Sequence, residues 1–325
     1  MDQVDVRAAV SRLHGRVRRT PLLPLALPEA RTREVYVKAE SLQLTGSFKV
    51  RGATNFLASL PEPQRRLGVV THSSGNHAQG VAHAAAAFGV PATVVIPEGA
   101  PEVKVRRTLA LGATVVRCRN TQADRHETAA RIAAETGATL LPPYDDARVV
   151  EGQSTVGVEV AEDLPRVANV LVPVGGGGLA SGVCAALAAL ASEARVIGVE
   201  PAVAADAQES LRRGEVVTWP AERTTSTMAD GVRTQAIGDL NLAVLKERLA
   251  GVVTVSEEAI AAATRFYATE AGLVVEPTGA LSLAGLVRLL REPGADGLEL
   301  ADGPTVVIAS GGNVDPARLC AIIGG

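Results

Sequence analysis

Val170-Leu171-Val172-Pro173-Val174-Gly175-Gly176-Gly177-Gly178-Leu179 is the stretch on which the fold turns. An apolar run passes into four glycines and then into an Ala-rich segment. A run without polar alternation reads as a strand buried on both faces, as in a parallel sheet covered by helices. Pro173 would end that strand. Consecutive glycines let backbone N–H groups converge with no Cβ in the way, and a helix start behind them adds partial positive charge. The segment therefore reads as a phosphate cradle, since a plain flexible turn is a costly use of four glycines. It is not the G-x-G-x-x-G dinucleotide fingerprint, because no acid ends a strand about 20 residues on and Val199-Glu200 comes slightly late. No Lys-Ser/Thr pair follows it, which excludes a Walker loop.

The same arrangement occurs earlier, where Val69–Ile96 runs strand, glycine turn, Ala-rich helix, strand. Apolar runs predict strands over 34–38, 68–71, 92–96, 113–118, 139–141, 169–174, 194–199, 251–255 and 305–308. Amphipathic stretches between them predict helices over 77–88, 102–111, 122–136, 179–190, 257–270 and 278–289. Gly89, Gly112, Gly137 and Gly272 stand where a helix end takes the left-handed conformation. The class is α/β, built from repeated βα units.

The chain has 325 residues, 47% hydrophobic but only 2% aromatic, so its core must be built from Ala, Val and Leu. A net charge of −3 argues against nucleic acid or an anionic membrane surface as the main partner. No uninterrupted apolar run reaches the ~18 residues of a membrane span. Met1 to Arg18 carries alternating charges and does not read as a signal peptide. Cys118, Cys184 and Cys320 are odd in number and widely spaced, which suits reduced thiols in the cytoplasm. The expectation is a chain that closes soon after its last strand and a short helix, without room for a regulatory domain.

Three further segments carry chemistry. In Ser47-Phe48-Lys49-Val50-Arg51-Gly52-Ala53, a lysine sits beside an aromatic ring at a helix start. Burial disfavours its ammonium form, and a neutral, positioned amine can form a Schiff base with an aldehyde cofactor. A surface amine lying over an apolar patch is the alternative. Ser73-Ser74-Gly75-Asn76-His77 places short polar side chains at a strand-to-helix junction, fit to bind a carboxylate. An ordinary N-cap by Ser74 or Asn76 accounts for the same residues. Ser310-Gly311-Gly312-Asn313 ends the last strand, where a serine can meet a heteroaromatic nitrogen or simply belong to a turn. Glu200, the Ala204 carbonyl and Asp206 would suit a hard cation such as Mg²⁺, or a capped helix start. Nothing about His72 or His83 suggests metal ligation, His14 and His126 read as surface residues, and Glu276-Pro277-Thr278 reads as a helix entry.

Taken in order, these glycine-rich segments resemble the pyridoxal-phosphate enzymes of the tryptophan synthase β-subunit fold (fold type II). Within it, Gly46 to Ala53 resembles the serine/threonine dehydratase and serine racemase branch, with Val50 where cysteine and threonine synthases carry Asp. The resemblance runs from about Thr20 to Asn313. It implies pyridoxal 5′-phosphate as cofactor, held by Lys49 as a Schiff base, with Lys49 later moving the α-proton. Phe48 would pack on the pyridine ring, Asn76 would bond the ring hydroxyl, and Ser310 would face the ring nitrogen. Gly175, Gly176, Gly177, Gly178 and Leu179 would bind the phosphate, and Gly231 would lie near the ring. Ser73, Ser74, Gly75, Asn76 and His77 would receive the substrate carboxylate. Glu200, Ala204 and Asp206 match the divalent-cation site of the racemase-like members.

A serine at position 310 cannot protonate the ring as an aspartate would, so a long-lived carbanion is disfavoured and loss of a β-hydroxyl competes well. Lys49 would remove the α-proton, water would leave, protonated by the cofactor phosphate, and hydrolysis would give a 2-oxo acid and ammonia. The expected activity is dehydration of L-threonine or L-serine, with a racemase or an L-threo-3-hydroxyaspartate dehydratase as alternatives. Ser74 points toward racemases and hydroxyaspartate dehydratases, as a possible proton carrier opposite Lys49. Ala78-Gln79-Gly80 points toward threonine dehydratases. A non-catalytic pyridoxal-phosphate or amino-acid binding protein is the remaining reading, and the positioned amine of Lys49 argues against it. Two lobes are expected, a large one of residues 1–67 and 146–325 and a small one of residues 68–145. A homodimer or homotetramer without isoleucine control is the expected assembly.

Overall fold

The computed structural model describes residues 4–100 and 102–325, and all their side chains except those of Val103 and Gln122. Residues 1–3, where the expected large lobe begins, lie outside the described residues. Two sheets organise the chain. The larger has six strands in the order β1-β2-β10-β7-β8-β9. Its strands are β1 (Leu22–Pro24), β2 (Val35–Lys38), β7 (Asn169–Pro173), β8 (Arg195–Pro201), β9 (Leu249–Val255) and β10 (Thr305–Ile308). The smaller has four, in the order β5-β4-β3-β6: β3 (Val69–His72), β4 (Ala92–Pro97), β5 (Thr114–Cys118) and β6 (Thr139–Leu140). Every pairing is parallel except β1 with β2, where Leu22 faces Lys38.

Alternate side chains of the central strands enter separate cores. Leu171, Ile197, Val199, Val253 and Val307 pack under the helices Glu257–Thr269 and Pro277–Arg291. Val170, Val172, Val196, Val306 and Ile308 pack on the opposite side under Ala147–Asp163, Gly178–Ala189 and Asp239–Arg248. Burial on both faces is why these strands lack polar alternation. In the smaller sheet, Val69, Val94 and Ile96 share a core with Ala53, Phe56 and Leu57 of the helix Lys49–Ser59, and with Ala78, Val81 and Ala85 of the helix Asn76–Phe88. Its other face is covered by Ala129 and Ile132 of the helix Gln122–Thr136.

The nine expected strands are present within two residues at each end, and the six expected helices within two. Gly89, Gly112, Gly137 and Gly272 all have positive φ. Elements beyond the expectation include β1 and the helices Val6–Leu13, Ala147–Asp163 and Asp239–Arg248. β1 is three residues that follow Pro21 and end at Pro24, an edge position that tolerates missing N–H donors. Ala147–Asp163 carries five valines and two glycines, and packing overrides its weak helical propensity. Gly152 lies against the helix Lys49–Ser59 so closely that a Cβ there would be 2.5 Å from the Arg51 carbonyl oxygen. Among the described residues no helix is long and apolar enough to cross a membrane.

Candidate active site

All the glycine-rich segments leave the carboxyl ends of parallel strands, which is where open α/β sheets bind ligands. Gly175–Gly178 follows β7, Ser310–Asn313 follows β10, and Ser73–Asn76 follows β3. The helix Lys49–Ser59 lies between the sheets, with Lys49 as its first residue and Phe48 at the N-cap position. The Phe48 N–H donates to the Ser310 carbonyl at 3.1 Å, and Ser47 bridges to Gly311. The lysine segment and the last glycine segment are therefore joined by backbone contacts.

The helix start is anchored by buried charge. Arg51 is fully buried and meets Glu40 at 2.8 Å through Nε and Nη2, and Glu159 at 2.6 and 2.9 Å through Nη1 and Nη2. Lys38 Nζ meets the same Glu159 at 2.7 Å. Two cations are thus matched by two carboxylates, the four drawn from four elements, the condition under which buried charge is tolerated.

Lys49 Nζ donates to the Pro143 carbonyl at 2.7 Å and lies 5.2 Å from the centre of the Phe48 ring. Burial pushes its pKa down from 10.5 to about 8, since no carboxylate compensates. The amine is not the surface group of the alternative reading. His77 lies behind it, buried, with Nε2 3.3 Å from the Leu141 carbonyl. Burial first and the Lys49 charge second hold the His77 pKa well below its usual value.

The Ser73–His77 loop is not an ordinary capped turn. Gly75 occupies the N-cap position of the following helix, and no side chain caps it. Ser73 Oγ accepts only the Gly75 N–H at 3.2 Å, and a Cβ at Gly75 would meet open space. The helix-start amides are thus left for a ligand, as an anion site requires.

The cradle meets the same test. Among the described residues, the N–H groups of Gly175, Gly176 and Gly177 have no protein acceptor, and Gly177 has φ +92°. Leu179 is buried in the first turn of the helix behind. A Cβ on Gly176 would lie 2.2–2.4 Å from ring atoms of Tyr144, so that position admits only glycine. Gly231 is exposed and its N–H donates to Thr278 Oγ1 at 2.9 Å, while the next residue, Val232, touches Gly175. These free donors and the buried amine of Lys49, which has no carboxylate partner among the described residues, fit a phosphorylated aldehyde cofactor.

Glu200, Ala204 and Asp206 form a separate group at the end of β8. Glu200 accepts the N–H groups of Ala207 and Gln208 at 3.0 and 2.8 Å, so it, rather than Asp206, caps the helix Asp206–Arg213. Both Asp206 carboxylate oxygens are buried without a hydrogen-bond partner. Burial raises the Asp206 pKa to about 7; its own amide and that of Ile237 approach and offset part of the rise, short of hydrogen-bond geometry. Burial, and then Asp206, raise Glu200 well above the usual range. The two unpartnered Asp206 oxygens beside the Glu200 carboxylate fit a hard cation.

Several residues at the site have no counterpart in the sequence reading. Pro142-Pro143-Tyr144-Asp145 leaves β6, receives Lys49 at Pro143 and packs on the cradle at Tyr144. Asp145 accepts the Asp239 and Leu240 N–H groups at 3.2 Å. The rarity of aromatics, with 3 tyrosines in the chain, was the available signal for Tyr144. Glu276, expected as a helix entry only, accepts from Asn76 Nδ2 at 2.6 Å. Asn313 Nδ2 donates to Asn76 Oδ1 at 2.9 Å.

Residues 13–313 match the model of the family described as "Pyridoxal-phosphate dependent enzyme". The chain belongs to that family. Within it, an L-threonine ammonia-lyase of Thermotoga maritima is 42% identical over 322 residues, covering 98% of this chain and 77% of the relative. An L-threo-3-hydroxyaspartate ammonia-lyase of Saccharomyces cerevisiae is 38% identical over 322 residues, covering 99% and 96%. Among solved structures, maize serine racemase superposes with a TM-score of 0.90 at 34% identity, covering 98% of this chain and 95% of that one. The pyridoxal-phosphate family membership and fold type II architecture agree with the expectation from the glycine segments.

Proposed function

We propose that the chain is an L-threonine/L-serine ammonia-lyase, which removes water and then ammonia from a β-hydroxy amino acid to leave a 2-oxo acid. The observation that carries the reading is the buried amine of Lys49, pushed toward neutrality with only a carbonyl for company, between free loop amides and free cradle amides. The relatives' names support the reaction class.

When bound, pyridoxal phosphate supplies an electron sink for the pair left on the substrate's α-carbon. Lys49 is the point of attachment and the base that takes the α-proton. The N–H groups of Gly175, Gly176, Gly177, Gly178 and Leu179 would hold the cofactor's phosphate, Phe48 would pack on its ring with Gly231 nearby, and Ser310 would serve the ring nitrogen. Ser73, Ser74, Gly75, Asn76 and His77 orient the substrate carboxylate. The charged groups felt by Glu276 in the cleft, Lys104 and Asp230, pair with each other at 2.5 Å. Lys104 is thus already paired, which leaves it less available to a second substrate carboxylate and supports threonine and serine over 3-hydroxyaspartate.

A racemase is the second reading, favoured by Ser74, a half-buried hydroxyl with no hydrogen-bond partner among the described residues. In both readings residues 68–145 form the smaller lobe and close over the substrate, excluding water. The apolar residues of Lys49–Ser59 extend into the core of that lobe. Glu200, the Ala204 carbonyl and Asp206 hold Mg²⁺ or another divalent cation. The assembly is a homodimer or homotetramer in the cytoplasm, where the free Cys118, Cys184 and Cys320 stay reduced.

The test is 2-oxo acid formation from L-threonine, L-serine, D-serine and L-threo-3-hydroxyaspartate, each with Mg²⁺ and with chelator. Fastest turnover of L-threonine or L-serine supports the lyase reading. Inversion of serine without oxo acid replaces it with the racemase.

A further inference from the structure

We propose that Glu276 is a positioning residue that decides which end of the Asn76 amide faces the cofactor's ring hydroxyl. The inference rests on the reading that pyridoxal phosphate binds with its ring oxygen at Asn76. An asparagine amide has a donor end and an acceptor end of nearly equal shape, exchanged by a half turn. Only its neighbours can choose between them.

Here the neighbours leave no choice. Asn313 Nδ2 donates to the Thr45 carbonyl at 2.7 Å, which fixes the nitrogen end of that side chain. The same Nδ2 donates to Asn76 Oδ1 at 2.9 Å, which fills the acceptor end of Asn76. Asn76 Nδ2 donates to Glu276 Oε1 at 2.6 Å. A carboxylate can only accept, so it admits the nitrogen end of Asn76 and rejects the oxygen end.

The carboxyl group is itself held. Glu276 is 4% exposed, and its N–H donates to the Gly311 carbonyl at 3.0 Å. A Cβ on Gly311 would lie 2.5 Å from Glu276 Oε1, so the glycine after Ser310 makes room for the acid. The charges facing Glu276 come from two other elements: Asp230 opposes its ionisation and Lys104 favours it. When Glu276 is protonated, Asn313 still fills Asn76 Oδ1, so keeping the amide nitrogen toward Glu276 requires only that the proton sit on Oε2.

One polar vector then remains on Asn76, its second N–H. A ring oxygen set against it meets a donor, which favours the ionised oxygen over the hydroxyl. Glu276 thus acts at one remove, through Asn76, on the electronic state of the bound cofactor.

The experiment compares absorbance spectra of the cofactor-loaded full chain as wild type, Glu276→Ala, Glu276→Gln and Asn313→Ala across the neutral pH range. The readout is the ratio of the long-wavelength band of the ionised ring oxygen to the near-ultraviolet band of its hydroxyl form. Glu276→Ala frees the amide to turn, and the ratio falls about tenfold, the size expected when one net hydrogen bond changes sides. Glu276→Gln can still accept through its oxygen and restores the ratio toward wild type, which a merely structural role for the carboxyl would not predict. Asn313→Ala lowers the ratio with Glu276 in place, so the test survives a Glu276→Ala protein that fails to fold. Wild-type band ratios in every variant that takes up cofactor would overturn the inference. A wild-type chain that takes up no pyridoxal phosphate would overturn the cofactor reading itself, and is distinguished by the absence of any band.

Discussion

Lys49 and Pro143 are joined by a 2.7 Å hydrogen bond from amine to carbonyl, linking the first residue of one helix to the segment that leaves β6. The bond holds the amine in place without giving it a countercharge. Desolvation therefore acts on the ammonium form unopposed and lowers its pKa to about 8.

Cofactor capture follows from this. Attack on an aldehyde needs the neutral amine, so the rate of pyridoxal phosphate uptake by the apoprotein rises with pH and levels off above about 8. An unburied lysine would keep rising toward 10.5. Stopped-flow absorbance over a pH series measures the profile.

Ser74 separates the two enzyme readings. Ser74→Ala spares oxo-acid formation and abolishes racemisation if its hydroxyl carries a proton. Loss of both activities, with KM raised, assigns Ser74 to carboxylate binding instead. Chiral chromatography and an oxo-acid assay on the same sample make the distinction.

Gly152 couples packing to the site. A methyl group there meets the Arg51 carbonyl, two residues from Lys49. Gly152→Ala is expected to destabilise the protein by about 1–3 kcal/mol, as overpacked cores do. It also lowers kcat by displacing the lysine. Calorimetry and turnover of the folded variant check the two effects separately.

Glu276 makes stability depend on pH. Its folded pKa is raised from 4.5 to about 7, by burial first and then by Asp230. A carboxyl with a raised pKa favours the fold while it is protonated in both states. Its contribution is full below about 4.5 and declines as pH rises to about 7, by roughly 3 kcal/mol at most. Glu276→Gln should flatten that decline. Denaturant unfolding of apoprotein at a series of pH values shows whether it does.

What was legible in the sequence is what local pattern and glycine chemistry determine. The strand Asn169–Pro173 announces itself because both its faces are buried. Gly175–Gly178 announces itself because four glycines have few other uses. The helix Ala147–Asp163 was not legible, because its valines and glycines argue against it locally. Its packing closeness at Gly152 is a contact with a distant element. Glu276 is 200 residues from Asn76, and Asn313 is 237, so no spacing rule brings them together. Tyr144 follows a two-residue strand too short to mark a strand end from pattern alone.

The central claim is that this chain eliminates water from a β-hydroxy amino acid through Lys49. It is tested most directly by measuring 2-oxobutyrate from L-threonine with cofactor-loaded wild type and Lys49→Ala side by side. The account predicts steady product from wild type and a loss of more than about 10³-fold in the variant, within the range of a removed catalytic base. No product from fully loaded wild type, or equal turnover in Lys49→Ala, would contradict it.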